Sequence, residues 1–99
     1  MNISNVTTKA IMFHRNGTMS VKLSDGRTIT VPLAWYPRLL KAKPAARRNW
    51  EISAAGRGIH WPDADEDLSI EGLLRGEPSP EYRRNRNFKT KHFHHELRP

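Results

Sequence analysis

Two glycine turns at short spacing constrain the first half of this chain most strongly. Asn16-Gly17 and Asp25-Gly26 are residue pairs that accept the positive φ angles of tight β-hairpin turns. An apolar run over residues 9–14 precedes the first turn, and apolar and polar side chains alternate over residues 19–24 and 27–33. The pattern predicts three antiparallel strands joined as a β-meander.

One face of this meander is predicted to be buried. Its apolar side chains are Met19, Val21, Leu23, Ile29, Val31 and Leu33. Pro32 interrupts the third strand, and because proline has no amide donor, we expect it at the edge or the end of that strand.

The second half of the chain predicts shorter elements. Pro37 and Pro44 each suit the first turn of a short helix. Residues 50–54 and 58–61 are short apolar segments joined by Ala55-Gly56-Arg57, which indicates a second hairpin.

A last helix follows, because Ile70, Leu73 and Leu74 have helical spacing and Gly76 suits a helix terminator. We therefore predict an α+β domain over residues 1–76: a small antiparallel β-meander plus a second hairpin, packed with two or three short helices. Residues 77–99 are polar, basic and without periodicity, which predicts a disordered C-terminal tail.

Composition narrows the class of protein. The chain has 99 residues, a formal charge of +7 and no cysteine, which excludes disulfides, thiolate chemistry and the usual structural zinc sites. No apolar stretch reaches the ~18 residues of a membrane helix, and the N-terminus has no charged region followed by an apolar core. We expect a cytoplasmic protein with no membrane association, and the charge suggests an anionic partner.

Two longer stretches carry a resemblance to a known family. VPLAWYPRLL (residues 31–40) and GIHWPDADEDLSIEGLL (residues 58–74), in this order, resemble the small bacterial proteins of the domain of unknown function 2442. The similarity runs from about Val6 to Gly76. The resemblance implies a small α+β fold, genes placed beside a small partner as in toxin–antitoxin pairs, and some members fused to a helix-turn-helix DNA-binding domain. It implies no catalytic residues.

The acidic cluster of the second stretch allows three interpretations. Asp63, Asp65, Glu66 and Asp67 are suited to the start of the last helix, to contact with a basic partner, or to a divalent metal. We favour the helix start, with an acidic patch as a second role. His60 could act as a general base beside a nearby carboxylate, but we favour a structural histidine because no nucleophile or substrate pocket is evident.

Basic and aromatic side chains form a second group of candidates. A stripe on the two short helices combines Arg38, Lys41, Lys43, Arg47 and Arg48. It could contact phosphates or an acidic protein, or it could be a solvated helix face. Trp35, Tyr36, Trp50 and Trp61 could stack on bases, although core packing is the more common role of such residues.

The predicted tail holds six Lys/Arg against three acidic residues, a net charge of +3. Its nucleic-acid candidates are Arg83, Arg84, Arg86, Lys89 and Lys91. Aromatic residues lie between them, so the tail suits phosphate contacts and base stacking, but it also suits a terminus with no function.

These features favour a non-enzymatic macromolecular binding module, an antitoxin-like or regulatory partner of another protein. The partner-binding candidates are Trp35, Tyr36, Arg38, Lys41, Arg47, Arg48, His60, Asp63, Asp65, Glu66 and Asp67. One alternative is direct nucleic-acid binding through the basic stripe and tail, and another is a small metal-dependent hydrolase or nuclease. We expect no cofactor and no resident metal. An exposed sheet edge leaves a homodimer open.

Overall fold

The meander predicted from the glycine turns forms the first sheet. The structure, a computed structural model, describes residues 5–84. Strands β1 (Thr8–Phe13), β2 (Thr18–Leu23) and β3 (Thr28–Pro32) pair antiparallel in chain order. Gly17 and Gly26 have φ angles of 86° and 98° in the connecting turns, the region that favours glycine.

The register of this sheet buries the predicted face. Phe13 lies opposite Met19, and Met19 lies opposite Val31. Met19, Val21 and Leu23 are fully buried, and Pro32 ends β3 as expected. The sequence interpretation of the meander is confirmed.

Two short helices follow the first sheet. A 3₁₀ turn at Leu33–Trp35 leads into α1 (Pro37–Leu40), and α2 (Pro44–Arg48) comes after a three-residue break. Each helix begins at its proline, as predicted, because the missing proline amide costs nothing in the first turn.

The second sheet has three strands where the sequence predicted a hairpin. β4 (Glu51–Ser53), β5 (Gly58–Trp61) and β6 (Glu66–Ser69) pair antiparallel in that order. In the row across this sheet, Ile59 lies between Ile52 and Leu68. The α+β fold class is confirmed, and β6 is a strand that the sequence analysis missed.

The acidic cluster does not start the last helix, and this prediction was wrong. Helix α3 (Ile70–Arg75) begins after Ser69, whose hydroxyl oxygen accepts a 2.9 Å hydrogen bond from the amide of Gly72. The acid in its first turn is Glu71. The predicted termination at Gly76 is confirmed, because this glycine has a φ of 71°.

One hydrophobic core joins the two sheets and the helices. Its largest fully buried side chains are Trp61, Tyr36, Met19, Leu23, Leu39, Ile59 and Val21. They come from both sheets, from α1 and from the turn before it. The core residues of α3, Ile70 and Leu73, are also buried.

The packed domain extends beyond its predicted boundary. Ser79, which we placed in the disordered tail, is buried, and its hydroxyl donates a 2.8 Å hydrogen bond to the carbonyl of Trp35. Residues 80–84 are helical, and the same hydroxyl oxygen accepts a hydrogen bond from the amide of Tyr82. Residues 77–84 therefore belong to the fold, and the rest of the predicted tail, residues 85–99, lies outside the described residues.

Candidate partner-binding surface

The basic stripe divides into internal and exposed members. Arg47 donates hydrogen bonds to the carbonyl oxygens of Leu39 and Leu40, at 3.0 and 2.9 Å, and so joins α2 to α1. Lys41, Lys43 and Arg48 are exposed, and no internal hydrogen bond or ion pair of their side chains occurs within residues 5–84. These three cations can meet a partner without breaking an internal contact.

Arg38 connects the stripe to the acidic cluster. Its guanidinium donates to the carbonyl oxygen of Asp65 at 2.6 Å and contacts the Asp65 carboxylate at 3.2 Å. Another nitrogen of the same group lies 3.4 Å from the Glu81 carboxylate. Arg38 therefore holds three separate parts of the chain together.

The four clustered carboxylates have different surroundings. Asp63 and Asp65 lie in the turn between β5 and β6, where Asp63 accepts a 3.0 Å hydrogen bond from the side-chain amide of Asn49. Glu66 and Asp67 lie on β6. Within residues 5–84, no group of three or more His, Asp or Glu side chains is arranged to hold a metal ion. The observed role of the two turn residues is to attach this turn to the segment that carries the basic stripe.

An open groove lies where the stripe meets this turn. It has a volume of about 520 Å³ and is lined by Arg38, Lys41, Ala42, Lys43, Ala46, Asp63 and Ala64. Both signs of charge therefore line one concave surface, which we call the mixed-charge groove. It places several of the sequence candidates around one site.

Glu66 and Tyr36 line a smaller cavity, of about 170 Å³, together with residues of β6, α3 and the segment after α3. Burial raises the pKa of Glu66 above its usual value. Burial, together with the charge of Glu66, raises the pKa of Tyr36 to about 12. The Tyr36 hydroxyl contacts the carbonyl oxygen of Glu77 at 3.5 Å.

The aromatic candidates serve the core more than the surface. Tyr36 is 1% exposed, so its assignment as a partner contact is wrong. Trp61 is fully buried and its indole donates a 3.0 Å hydrogen bond to the carbonyl of Arg47. Trp35 and Trp50 are partly buried against the core. Core packing, the more common role of such residues, is confirmed for Tyr36 and Trp61.

His60 has the nearby carboxylate that the sequence suggested. Its Nδ1 atom lies 2.8 Å from Oδ1 of Asp67, directly across β5 and β6. Glu51 lies opposite His60 on the other side. Within the described part of the chain no hydroxyl is hydrogen-bonded to His60. Within residues 5–84 the pair therefore has no partner nucleophile.

A second histidine cluster was missed by the sequence analysis. Nε2 of His14 lies 2.7 Å from the Ser20 hydroxyl, which lies 2.7 Å from the Thr30 hydroxyl. Strand alternation places the three on the outer face of the first sheet, a signal that was available in the sequence. Ser20 is buried in the middle of β2, and no carboxylate contacts His14 within residues 5–84. The cluster therefore lacks the third group of a catalytic triad.

Charge is divided between the two halves of the fold. Residues 1–50, which include the first sheet, α1 and α2, carry nine Lys/Arg and one acidic residue, a net charge of +8. Residues 51–84, which include the second sheet and α3, carry four Lys/Arg and eight acidic residues, a net charge of −4. We call these the basic half and the acidic half; the mixed-charge groove lies at their border.

The nucleic-acid candidates fall mainly beyond the described chain. Arg83 and Arg84 are exposed on the helical turn at residues 80–84. Arg86, Lys89 and Lys91 lie outside the described residues. No helix within residues 5–84 is long and apolar enough to cross a membrane.

Comparison with known proteins identifies the family. The sequence profile of a family described as proteins of unknown function, DUF2442, matches residues 9–79. The chain belongs to this family. The resemblance noted from the sequence is thereby confirmed, and the matched region includes both sheets except Thr8, the mixed-charge groove and Ser79. No curated protein is similar to the chain at a significant level.

Two solved structures share the DUF2442 chain's fold. A crystal structure of a protein of unknown function from Rhodospirillum rubrum has 28% sequence identity and a TM-score of 0.62, covering 76% of this chain and 92% of that chain. A solution NMR structure of an uncharacterized protein from Chromobacterium violaceum has 26% identity and a TM-score of 0.63, covering 74% of this chain and 68% of that chain.

Proposed function

We propose that this DUF2442 protein is a non-enzymatic module that binds another protein through the mixed-charge groove at the border of the basic half. It acts as an antitoxin-like or regulatory partner. The observation that carries the proposal is the presence of Lys41, Lys43 and Asp63 on the same open groove. Protein surfaces present cations and anions together, so they can complement both signs.

The same observation disfavours a nucleic-acid backbone in this groove. A phosphate chain gains from each lysine but is repelled by Asp63 and by the neighbouring Asp65. Direct nucleic-acid binding stays a second candidate because of the charge of the basic half and of residues 85–99, which carry four Lys/Arg and one acidic residue.

Affinity purification from the native cell extract, with and without nuclease, tests the proposal. We expect one stoichiometric protein that is retained after nuclease treatment. Its expression alone should inhibit growth or change a regulated process, and co-expression of this chain should relieve that effect. If every copurifying protein is lost with the nucleic acid, the proposal fails.

Charge reversal locates the surface. The variant Lys41→Glu/Lys43→Glu changes the groove, and Arg15→Glu/Lys22→Glu makes the same change of net charge elsewhere in the basic half, at exposed positions. We expect the first variant to lose the partner and the second to retain it. Equal loss in both variants would show that net charge alone, and not the groove, determines binding.

A further inference from the structure

Strand β1 lies at one edge of the first sheet. Its pairing with β2 shows which of its backbone groups point away from the sheet. The amide of His14 donates to the carbonyl of Thr18, so this pair is bonded across β1 and β2. In an antiparallel ladder bonded and non-bonded pairs alternate. The backbone groups of Ile11 and Phe13, at non-bonded pairs, therefore point away from β2.

These outward groups have no partner among residues 5–84. Within residues 5–84, the backbone amides and carbonyls of Ile11 and Phe13 make no hydrogen bond to any other element. A free strand edge of this kind is a template for another extended chain. At the start of β1, Lys9 lies at an irregularity in the register and limits pairing to the later residues.

A groove lies beside this free edge. It has a volume of about 340 Å³ and is lined by Ile11, Phe13, Pro44, Arg47 and Arg48. Its floor has apolar side chains from β1, and its wall is α2, where the Arg47 guanidinium lies 5.5 Å from the centre of the Phe13 ring. A strand added to β1 would place alternate side chains into this groove, which would give specificity in addition to backbone bonding.

The charge around the groove indicates its occupant. It contains two arginines and no carboxylate, and the only acid of the basic half, Asp25, is paired with Arg27. A second copy paired through its own β1 would bring the same basic residues together, and residues 85–99 have a net charge of +3, so both occupants are disfavoured. An acidic segment of another protein complements the site.

The other edges suit this role less well. β4 is three residues long, and β6 carries Glu66 and Asp67, which would repel an acidic segment. β3 ends in Pro32, which has no amide to donate to an added strand.

We propose that β1 accepts an extended acidic segment of a partner protein as a fourth strand of the first sheet, with its apolar side chains in the groove beside α2. This rests on the proposed function and names the partner's binding element. α2 lies between the two sites, because Lys43 and Ala46 line one groove and Pro44 and Arg48 line the other. One partner can therefore cover both.

The first test uses a short synthetic peptide that alternates Glu and Val, with its Lys/Val counterpart as control. We expect NMR-detected hydrogen exchange of the Ile11 and Phe13 amides to slow about tenfold with the acidic peptide and not with the basic one. The Met12 amide, already within the sheet, should change little. Exchange at Ile11 and Phe13 unaltered by the acidic peptide, or slowed instead by an RNA oligonucleotide, would overturn the proposal.

The second test removes one edge donor. Ile11→Pro and Ile11→Ala both lose the isoleucine side chain, but only proline also loses the outward amide. We expect the proline variant to bind the acidic peptide about tenfold more weakly than the alanine variant. Equal affinities would overturn the proposal, and if the proline variant does not fold, the exchange measurement decides.

These tests separate the inference from the proposed function. If a protein copurifies and depends on Lys41 and Lys43, while the peptide leaves β1 unchanged, strand addition fails and the binding function stands. If no protein copurifies, the proposed function fails whatever the peptide does.

Discussion

At the scale of single residues, the acidic cluster acts locally. Asp63 and Asp65 hold the β5–β6 turn against Asn49 and Arg38, over sequence separations of 14 and 27 residues. The types of these residues were compatible with a helix start, but their partners are set by the tertiary fold. The basic stripe was found from the sequence, whereas the internal contacts of Arg38 and Arg47 could not be.

Asp65 tests whether charge or backbone conformation matters in this turn. Its φ angle is 51°, a region that Asp and Asn tolerate better than Ala does, and its side chain is 89% exposed. An exposed ion pair contributes little, so we expect Asp65→Asn to change the free energy of unfolding by less than about 0.5 kcal/mol. Asp65→Ala should cost about 1 kcal/mol. Urea denaturation measures both, and equal costs would contradict a conformational role.

The raised pKa of Tyr36 predicts that the free energy of unfolding falls at alkaline pH. Because its folded pKa is raised from 10.0 to about 12, its contribution is fully present below pH 10 and is lost as the pH rises through 12. The loss should approach about 3 kcal/mol. We expect the difference in unfolding free energy between the wild type and Tyr36→Phe to shrink over this range, as measured by urea denaturation at several pH values.

In a Tyr82→Phe background, where Tyr36 is the only tyrosine left, the phenolate absorbance of the folded protein should rise near pH 12. A rise near pH 10 would refute the assignment.

At the scale of elements, the two sheets differ in how far the sequence predicted them. The first sheet has Asn16-Gly17 and Asp25-Gly26 at its turns and regular alternation, and both signals are local. β6 has the sequence EDLS, and because acidic residues are uncommon in strands, these four residues predict the approach to a helix rather than a strand. Hydrogen-bonded pairing with β5 makes this segment a strand despite its low intrinsic strand propensity.

The C-terminal boundary is a second element that depends on tertiary contacts. Pro78 and Pro80 predicted a break, but Ser79 between them is fixed by hydrogen bonds involving Trp35 and Tyr82. Local sequence patterns cannot predict the contact between Ser79 and Trp35, because these residues are 44 positions apart in the sequence.

Truncation measures the contribution of this element. We expect a chain ending at Arg84 to keep the unfolding free energy of the full chain within about 0.5 kcal/mol, and a chain ending at Gly76 to lose about 2 kcal/mol. The loss includes the two hydrogen bonds of the Ser79 hydroxyl and the bond of its amide to the Trp35 carbonyl. Ser79→Ala removes the hydroxyl bonds alone and should reproduce at least half of the loss. Thermal and urea unfolding provide the measurements. If both truncated chains are as stable as the full one, the contacts of residues 77–84 contribute nothing.

At the scale of the whole molecule, the division of charge is more informative than the net charge. The formal +7 combines a basic half of +8, an acidic half of −4 and +3 from residues 85–99. The sum alone predicted an anionic partner without locating it. The fold places the border of the two halves at the mixed-charge groove and leaves the β1 edge wholly within the basic half. Under the two proposals, the groove and the β1 edge bind different features of one partner.

This division predicts how the chain binds nucleic acid. Each phosphate contact on single-stranded nucleic acid contributes about −0.7 to the slope of log affinity against log salt. If residues 85–99 supply the contacts, a chain ending at Arg84 will lose most of its affinity for a single-stranded RNA, and Lys41→Glu/Lys43→Glu in the full chain will change the slope little. We expect this result, because Asp63 and Asp65 repel phosphates near the two lysines. Fluorescence anisotropy over a salt series measures the slopes. If the charge-reversal variant instead abolishes binding and the truncated chain keeps its slope, the mixed-charge groove is the nucleic-acid site, and the protein-partner proposal loses its main support.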